Sequence, residues 1–119
     1  MTSFDPAEVD DVIHGLVRLG TLAYLSTAKT VEFRELRRRL HVTDGNLSVH
    51  LKKLETAGYI AMEKRGAGRG SVTRIVLTAA GRKAFARYVD SMDKLVREVR
   101  IAGQVRHTNV GRLEASSPA

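Results

Sequence analysis

The sequence predicts a mainly α-helical chain with one small β-hairpin, an α+β fold with the hairpin projecting from a helical body. Three observations predict it. Apolar residues recur at helical spacing in separate stretches of the chain. One stretch, 59–77, instead alternates with a period of two around a glycine-rich centre. The positive charge is concentrated in the middle: the 119 residues carry a formal +7, with net +4 over 33–53 and +3 over 60–77, against −4 over 1–14.

The chain opens on a helix-start signal. Asp5 can cap, Pro6 suits a first helical position and Glu8 can close a capping box. Val9, Val12, Ile13, Leu16, Val17, Leu19, Leu22, Ala23 and Leu25 follow in a wide helical stripe, with His14-Gly15 as a candidate break. Ser26 to Thr30 is a polar connection and Val31-Glu32 a very short strand candidate. Phe33, Leu36 and Leu40 share one face of a short helix, with Arg34, Arg37 and Arg38 turned elsewhere. His41-Val42 is a turn. Thr43 can cap the next helix, Asp44 suits its positive end, and Leu47, Leu51 and Leu54 form its inner stripe. Gly58 can close it in the left-handed conformation.

Strands are expected over Tyr59–Arg65 and Ser71–Leu77, joined by Gly66 to Gly70. Thr78 can cap a last long helix in which Phe85, Tyr88, Met92, Leu95 and Val99 make a coiled-coil-like seam. Periodicity fades from Gly103. The expected organisation is one domain over 1–103, including the N- and C-terminal dimerisation helices, and a disordered tail over 104–119.

Helix, turn, helix and arginine-bearing hairpin, in that order on a basic chain, describe a winged helix-turn-helix with a long C-terminal dimerisation helix. This arrangement places the second helix in a DNA major groove and the hairpin beside it on the backbone or in the minor groove. On that helix the face opposite the leucines is Gly45, Asn46, Ser48, Val49, Lys52, Lys53 and Thr56. Asn46 can bond bidentately to adenine, Ser48 can meet a base or a phosphate, Val49 can pack on a thymine methyl, and Gly45 lets the backbone come close. Lys52 and Lys53 suit phosphates, which set position rather than sequence. Arg65 and Arg69 of the hairpin, together with Thr43, His50 and Arg38, complete the candidate DNA-binding set. The plainer reading is an amphipathic helix with a solvated polar face and a mobile turn. The basic helix before it and the hairpin after it weigh against that.

Other chemistry finds little support. The absence of cysteine excludes disulfides and thiolate metal sites. His14, His41, His50 and His107 lack ligand spacing, so no metal or cofactor is expected. Gly66 to Gly70 lies between strands and lacks the following helix that a phosphate-binding loop needs. No nucleophile, base and orienting group assemble, so no enzyme is expected. No apolar run approaches the ~20 residues that span a bilayer. The acidic start lacks the order of a secretory signal, so a cytoplasmic protein without a membrane partner is expected.

The run Phe33-Arg34-Glu35-Leu36, the string from Val42 through Thr43-Asp44-Gly45-Asn46-Leu47-Ser48-Val49-His50-Leu51 to Ile60, and Leu77-Thr78-Ala79-Ala80-Gly81-Arg82 carry a resemblance. Across Leu19 to Tyr88 the chain resembles the bacterial winged-helix regulators of the MarR/ArsR type, above all their small winged-helix DNA-binding-domain branch. The resemblance implies a sequence-specific DNA-binding homodimer that controls transcription, with a repressor as the expected form. Val49 stands where such regulators often carry a polar or basic base reader, and the cysteine-based metal sensing of some members is excluded here.

The expected partners are double-stranded DNA and a second copy of the chain. Val9, Val12, Ile13, Leu16, Phe85, Tyr88, Met92, Leu95 and Val99 are the expected dimer interface. A small-molecule effector fits the resemblance, but no polar cluster marks a pocket for it. The alternative function is a protein-interaction module without operator preference.

Overall fold

The computed structural model describes residues 3–116, with side chains described over 3–103. Val9–Tyr88 forms one compact unit, and residues 3–8 with 89–116 form a second. The first unit holds α1 (Leu16–Ala28), β1 (Thr30–Glu32), α2 (Phe33–Leu40), α3 (Asp44–Thr56), β2 (Ile60–Arg65), β3 (Val72–Leu77) and the start of α4 (Ala79–Ser116). The strands form an antiparallel sheet in the order β1-β3-β2, with Arg65 opposite Val72 beside the hairpin tip. The very short first strand is real: Val31 pairs with Ile75, and its side chain is buried.

The core follows the leucine periodicity. Leu22 and Leu25 of α1, Leu36 of α2, Leu47, Leu51 and Leu54 of α3 and Ile75 of β3 are fully buried. Each such side chain stabilises the fold by about 1.5–3 kcal/mol over an exposed one. The three leucines of α3 fix which of its faces turns outward, because residues three and four apart share a face.

The caps of α3 form as expected. The Thr43 hydroxyl accepts from Asn46 N–H at 3.1 Å. At the other end Tyr59 N–H donates to Leu54 C=O at 3.0 Å and Gly58 N–H to Glu55 C=O at 2.9 Å. Gly58 has φ +82°, the left-handed position this double closure requires. His41 takes the same conformation, with φ 54°, in the turn between α2 and α3. Thr78 caps α4 by accepting from Gly81 N–H at 2.9 Å, and its own hydroxyl donates to Gly58 C=O at 2.6 Å.

The N-terminal expectation needs correction. Pro6–Glu8 makes only one 3-10 turn, and α1 begins at Leu16. The helix-start chemistry is present, with Asp5 Oδ1 accepting from Ala7 N–H at 2.9 Å, but it is not propagated. Asp10 diverts the chain: its carboxylate accepts from Val12 N–H at 2.9 Å and its carbonyl from His14 N–H at 2.9 Å. Such local bonds compete with helix formation. The break at Gly15 is genuine, since its backbone is extended at φ −159° and ψ 136°.

Residues 9–15 therefore form a strap rather than a helix. Ile13 plugs it into the core with no exposure, and Tyr59 Oη donates to Asp10 Oδ2 at 2.5 Å. That hydrogen bond, with burial, holds the Tyr59 phenol above its ordinary pKa.

At the other end, the expected tail over 104–119 meets a helix whose backbone continues to Ser116. Gly103 weakens a helix interior without ending it, and no proline follows before Pro118. The side chains after 103, and residues 117–119, lie outside the described residues.

Candidate nucleic-acid interface

The outward face of α3 is built by elimination. With Leu47, Leu51 and Leu54 spent on the core, Gly45, Asn46, Ser48, Val49, Lys52, Lys53 and Thr56 are all exposed, Val49 to 56%. Thr43 is also exposed, though its hydroxyl oxygen is engaged as the cap. Arg37 Nε meets Asp44 Oδ1 at 2.9 Å and ties α2 to the first turn of α3. This ion pair is partly exposed, so its value is geometric more than energetic.

Two concave regions flank α3. One is a 900 Å³ cleft lined by Arg34, Arg37 and Arg38 of α2, by Asp44, and by Arg69 to Thr73 of the hairpin. It brings the expected Arg38 and Arg69 to one opening. Of the four arginines on α2, Arg39 is engaged with Glu35 at 3.3 Å and lies 4.7 Å from the centre of the Tyr24 ring. Arg37 is engaged with Asp44, which leaves Arg34 and Arg38 without an ion pair among the described residues. Arg65 ends β2, exposed, and lines neither region.

The other region is a 490 Å³ cavity lined by Asp11 and Val12 of the strap, Arg18 of α1, and Lys52, Lys53, Thr56 and Ala57 of α3. Arg18 is the residue that sequence reasoning missed. Its Nε donates to Val12 C=O at 2.5 Å, its Nη2 to Asp11 C=O at 3.4 Å, and its Nη1 meets His50 Nδ1 at 2.8 Å. The available signal was one arginine inside the apolar run Leu16 to Leu25, a charge that burial tolerates only with partners.

His50 is half-buried at the edge of α3. Burial lowers its pKa first, then the Arg18 guanidinium and Lys53. The neutral ring accepts from Arg18 on Nδ1 and carries its proton on Nε2.

The expected dimer residues divide. Leu16 is 88% exposed and Val99 62%, while Val9, Val12, Phe85, Met92 and Leu95 are half-buried. Ile13 and Tyr88 are corrected: both are spent inside the protomer, Ile13 as the plug of the strap and Tyr88 in contact with His14, its hydroxyl 3.0 Å from Nδ1. A helical repeat in sequence does not say which side of a stripe the chain itself covers. Val89 and Val96 are exposed on α4 instead. Among the described residues no group of His, Asp and Glu could hold a metal ion, and no helix is long and apolar enough to cross a membrane.

An outward polar helix face beside an arginine-bearing hairpin, over a sheet ordered β1-β3-β2, defines a winged helix-turn-helix of the DNA-binding class. Residues 17–96 match the family of the winged helix DNA-binding domain, and the chain belongs to that family. Its winged-helix DNA-binding fold is the one the sequence predicts.

An uncharacterized protein of Methanocaldococcus jannaschii is 36% identical over 89 residues, covering 74% of this chain and 96% of that one. The solved structure of a transcriptional regulator homologue from Pyrococcus horikoshii OT3 is similar with a TM-score of 0.69 and 26% identity, over 74% of this chain and 87% of the other. A structure of reduced AbfR bound to DNA shares the fold, with a TM-score of 0.57 and 19% identity, over 83% of this chain and 70% of that one.

Proposed function

We propose that the chain acts as a homodimeric, sequence-specific repressor that sets α3 into the major groove of a pseudo-palindromic operator and lays the hairpin along the adjoining backbone or minor groove. One observation carries the reading. The face of α3 that the core leaves outward is short and mostly polar in its first half and cationic in its second, and Arg34, Arg37 and Arg38 of α2 and Arg69 of the hairpin line one cleft beside its start. Short polar side chains suit base edges, and flanking cations suit phosphates. That the Pyrococcus relative is described as a transcriptional regulator homologue and that AbfR was solved on DNA supports the same reading.

Unused apolar surface supports the dimer. Leu16 on α1 and Val89, Val96 and Val99 on α4 are large and exposed. A two-fold pair of reading helices one DNA turn apart, about 34–36 Å, would meet two half-sites. A DNA partner supports a cytoplasmic location.

The test is a binding titration of the full chain against a random duplex pool and against duplexes selected from it, with the mass of the free protein measured in parallel. Selected duplexes bound at least 10³-fold more tightly than random ones, by a dimer, support the reading. Equal affinity for both pools would sink the operator reading and favour the alternative, a protein-interaction module without operator preference.

A further inference from the structure

The first two turns of α3 offer the major groove an unusual set of groups. From Thr43 to His50 there is no arginine and no lysine. The one formal charge there, Asp44, is held by Arg37 at 2.9 Å. Arginine or lysine on guanine O6 and N7 is the commonest specific base contact, and it has no donor here.

What the face does offer is an amide and an apolar branch. Asn46 is exposed, and its carboxamide makes no hydrogen bond among the described residues; only its backbone N–H is used, by the Thr43 cap. A free carboxamide matches the N6–H donor and N7 acceptor of adenine. Val49 follows three residues later, so the two side chains are neighbours on one face, roughly 5–6 Å apart. Val49 is 56% exposed with polar residues around it. The one apolar group on a major-groove edge is the thymine C5-methyl.

The hairpin points the same way. Arg65 precedes its tip and Arg69 lies in it, and arginine is drawn to the narrow, strongly negative minor groove of A-tracts. A hairpin arginine in the minor groove would share the preference of the α3 face.

We infer that the operator half-site is rich in A·T pairs, with an adenine read by Asn46 and, within one or two base steps, a thymine methyl packed against Val49. The inference rests on the DNA-binding reading above and specifies its base chemistry.

The experiment measures affinity for duplexes selected from a random pool, at one salt concentration, with each thymine in turn replaced by deoxyuridine. That change deletes the methyl and keeps base pairing. One thymine per half-site should show a loss of roughly fourfold on deletion, the value of one buried methyl group. Val49→Ala should bind the thymine duplex about as weakly as the wild-type protein binds a duplex with that thymine exchanged in both half-sites, and should be indifferent to the exchange. Val49→Ile should keep the sensitivity.

A G·C-rich selected pool, or a uridine penalty of the same size in Val49→Ala, would overturn the inference and leave the operator reading standing. A chain that prefers no duplex at all would instead sink the operator reading, and this inference with it.

Discussion

Arg18 Nη1 sits 2.8 Å from His50 Nδ1, joining the first turn of α1 to the edge of α3. The same guanidinium holds the strap through the carbonyls of Val12 and Asp11. An always-protonated arginine can only donate, so the Nδ1 it meets must be a lone pair. The contact therefore exists only while His50 is neutral.

A pH dependence follows. Burial, then Arg18 and Lys53, holds the folded-state pKa of His50 below its ordinary value of 6.5. The unfolded chain then binds this proton more readily than the folded one, so stability from this group is complete above pH 6.5. It declines as pH falls from there through the lowered folded-state pKa. Thermal unfolding followed from pH 8 to pH 5 should show this loss. In His50→Gln, which keeps an acceptor and does not titrate, it should be smaller. An identical decline in both proteins would assign the acid sensitivity to other groups.

Gly81 should tolerate no side chain. A Cβ there would stand 2.0 Å from Tyr59 O and 2.9 Å from Leu77 Cδ1. The Tyr59 carbonyl is itself fixed, accepting from Thr78 N–H at 3.1 Å. Relief requires moving backbone at the junction of the hairpin and α4. Gly81→Ala should cost about 1–3 kcal/mol in denaturant unfolding, the usual range for overpacking, despite alanine's better helix propensity. An unchanged unfolding midpoint would show that this junction yields freely.

Gly45 is the opposite case. A Cβ there meets nothing within 4 Å, so Gly45→Ala removes backbone entropy at no steric cost. It should stabilise the folded chain by up to about 1 kcal/mol. If α3 enters the groove with Gly45 facing it, the same methyl should weaken operator binding. Chemical denaturation and a DNA titration on one preparation separate the two effects. A gain in both would move Gly45 away from the DNA.

How much of this was legible in the sequence depends on the range of the interactions involved. Leu47, Leu51 and Leu54 are all buried as their spacing requires, and Thr43 and Gly58 cap α3 with their own local chemistry. Such features are written within a few residues. The strap was not legible, because Asp10 competes for backbone N–H groups and is itself fixed by Tyr59, 49 residues away. Ile13 and Tyr88 were misplaced for a related reason: periodicity shows that a side is apolar, not whether the same chain already covers it. Arg18 was invisible as part of the site because its meaning lies in a contact 32 residues distant.

Lys52, Arg69 and Asn46 should separate cleanly when binding is measured against salt. The two cations are exposed and on different elements, Lys52 on α3 and Arg69 on the hairpin turn. A side chain that neutralises one phosphate releases about one condensed counterion, and the homodimer carries each cation twice, so Lys52→Ala and Arg69→Ala should each flatten the slope of log affinity against log salt by about two units. Both should weaken operator and random duplexes alike, since phosphates carry no base identity. Asn46→Ala should leave the slope unchanged and narrow the gap between operator and random duplex, by roughly 1–3 kcal/mol for each of the two lost bidentate contacts. Titrations of all three variants between 50 and 200 mM salt, roughly the span over which phosphate contacts dominate, would test this. If Asn46→Ala kept full operator discrimination, the base-reading face of α3 would have to be sought at Gly45, Ser48 or Val49.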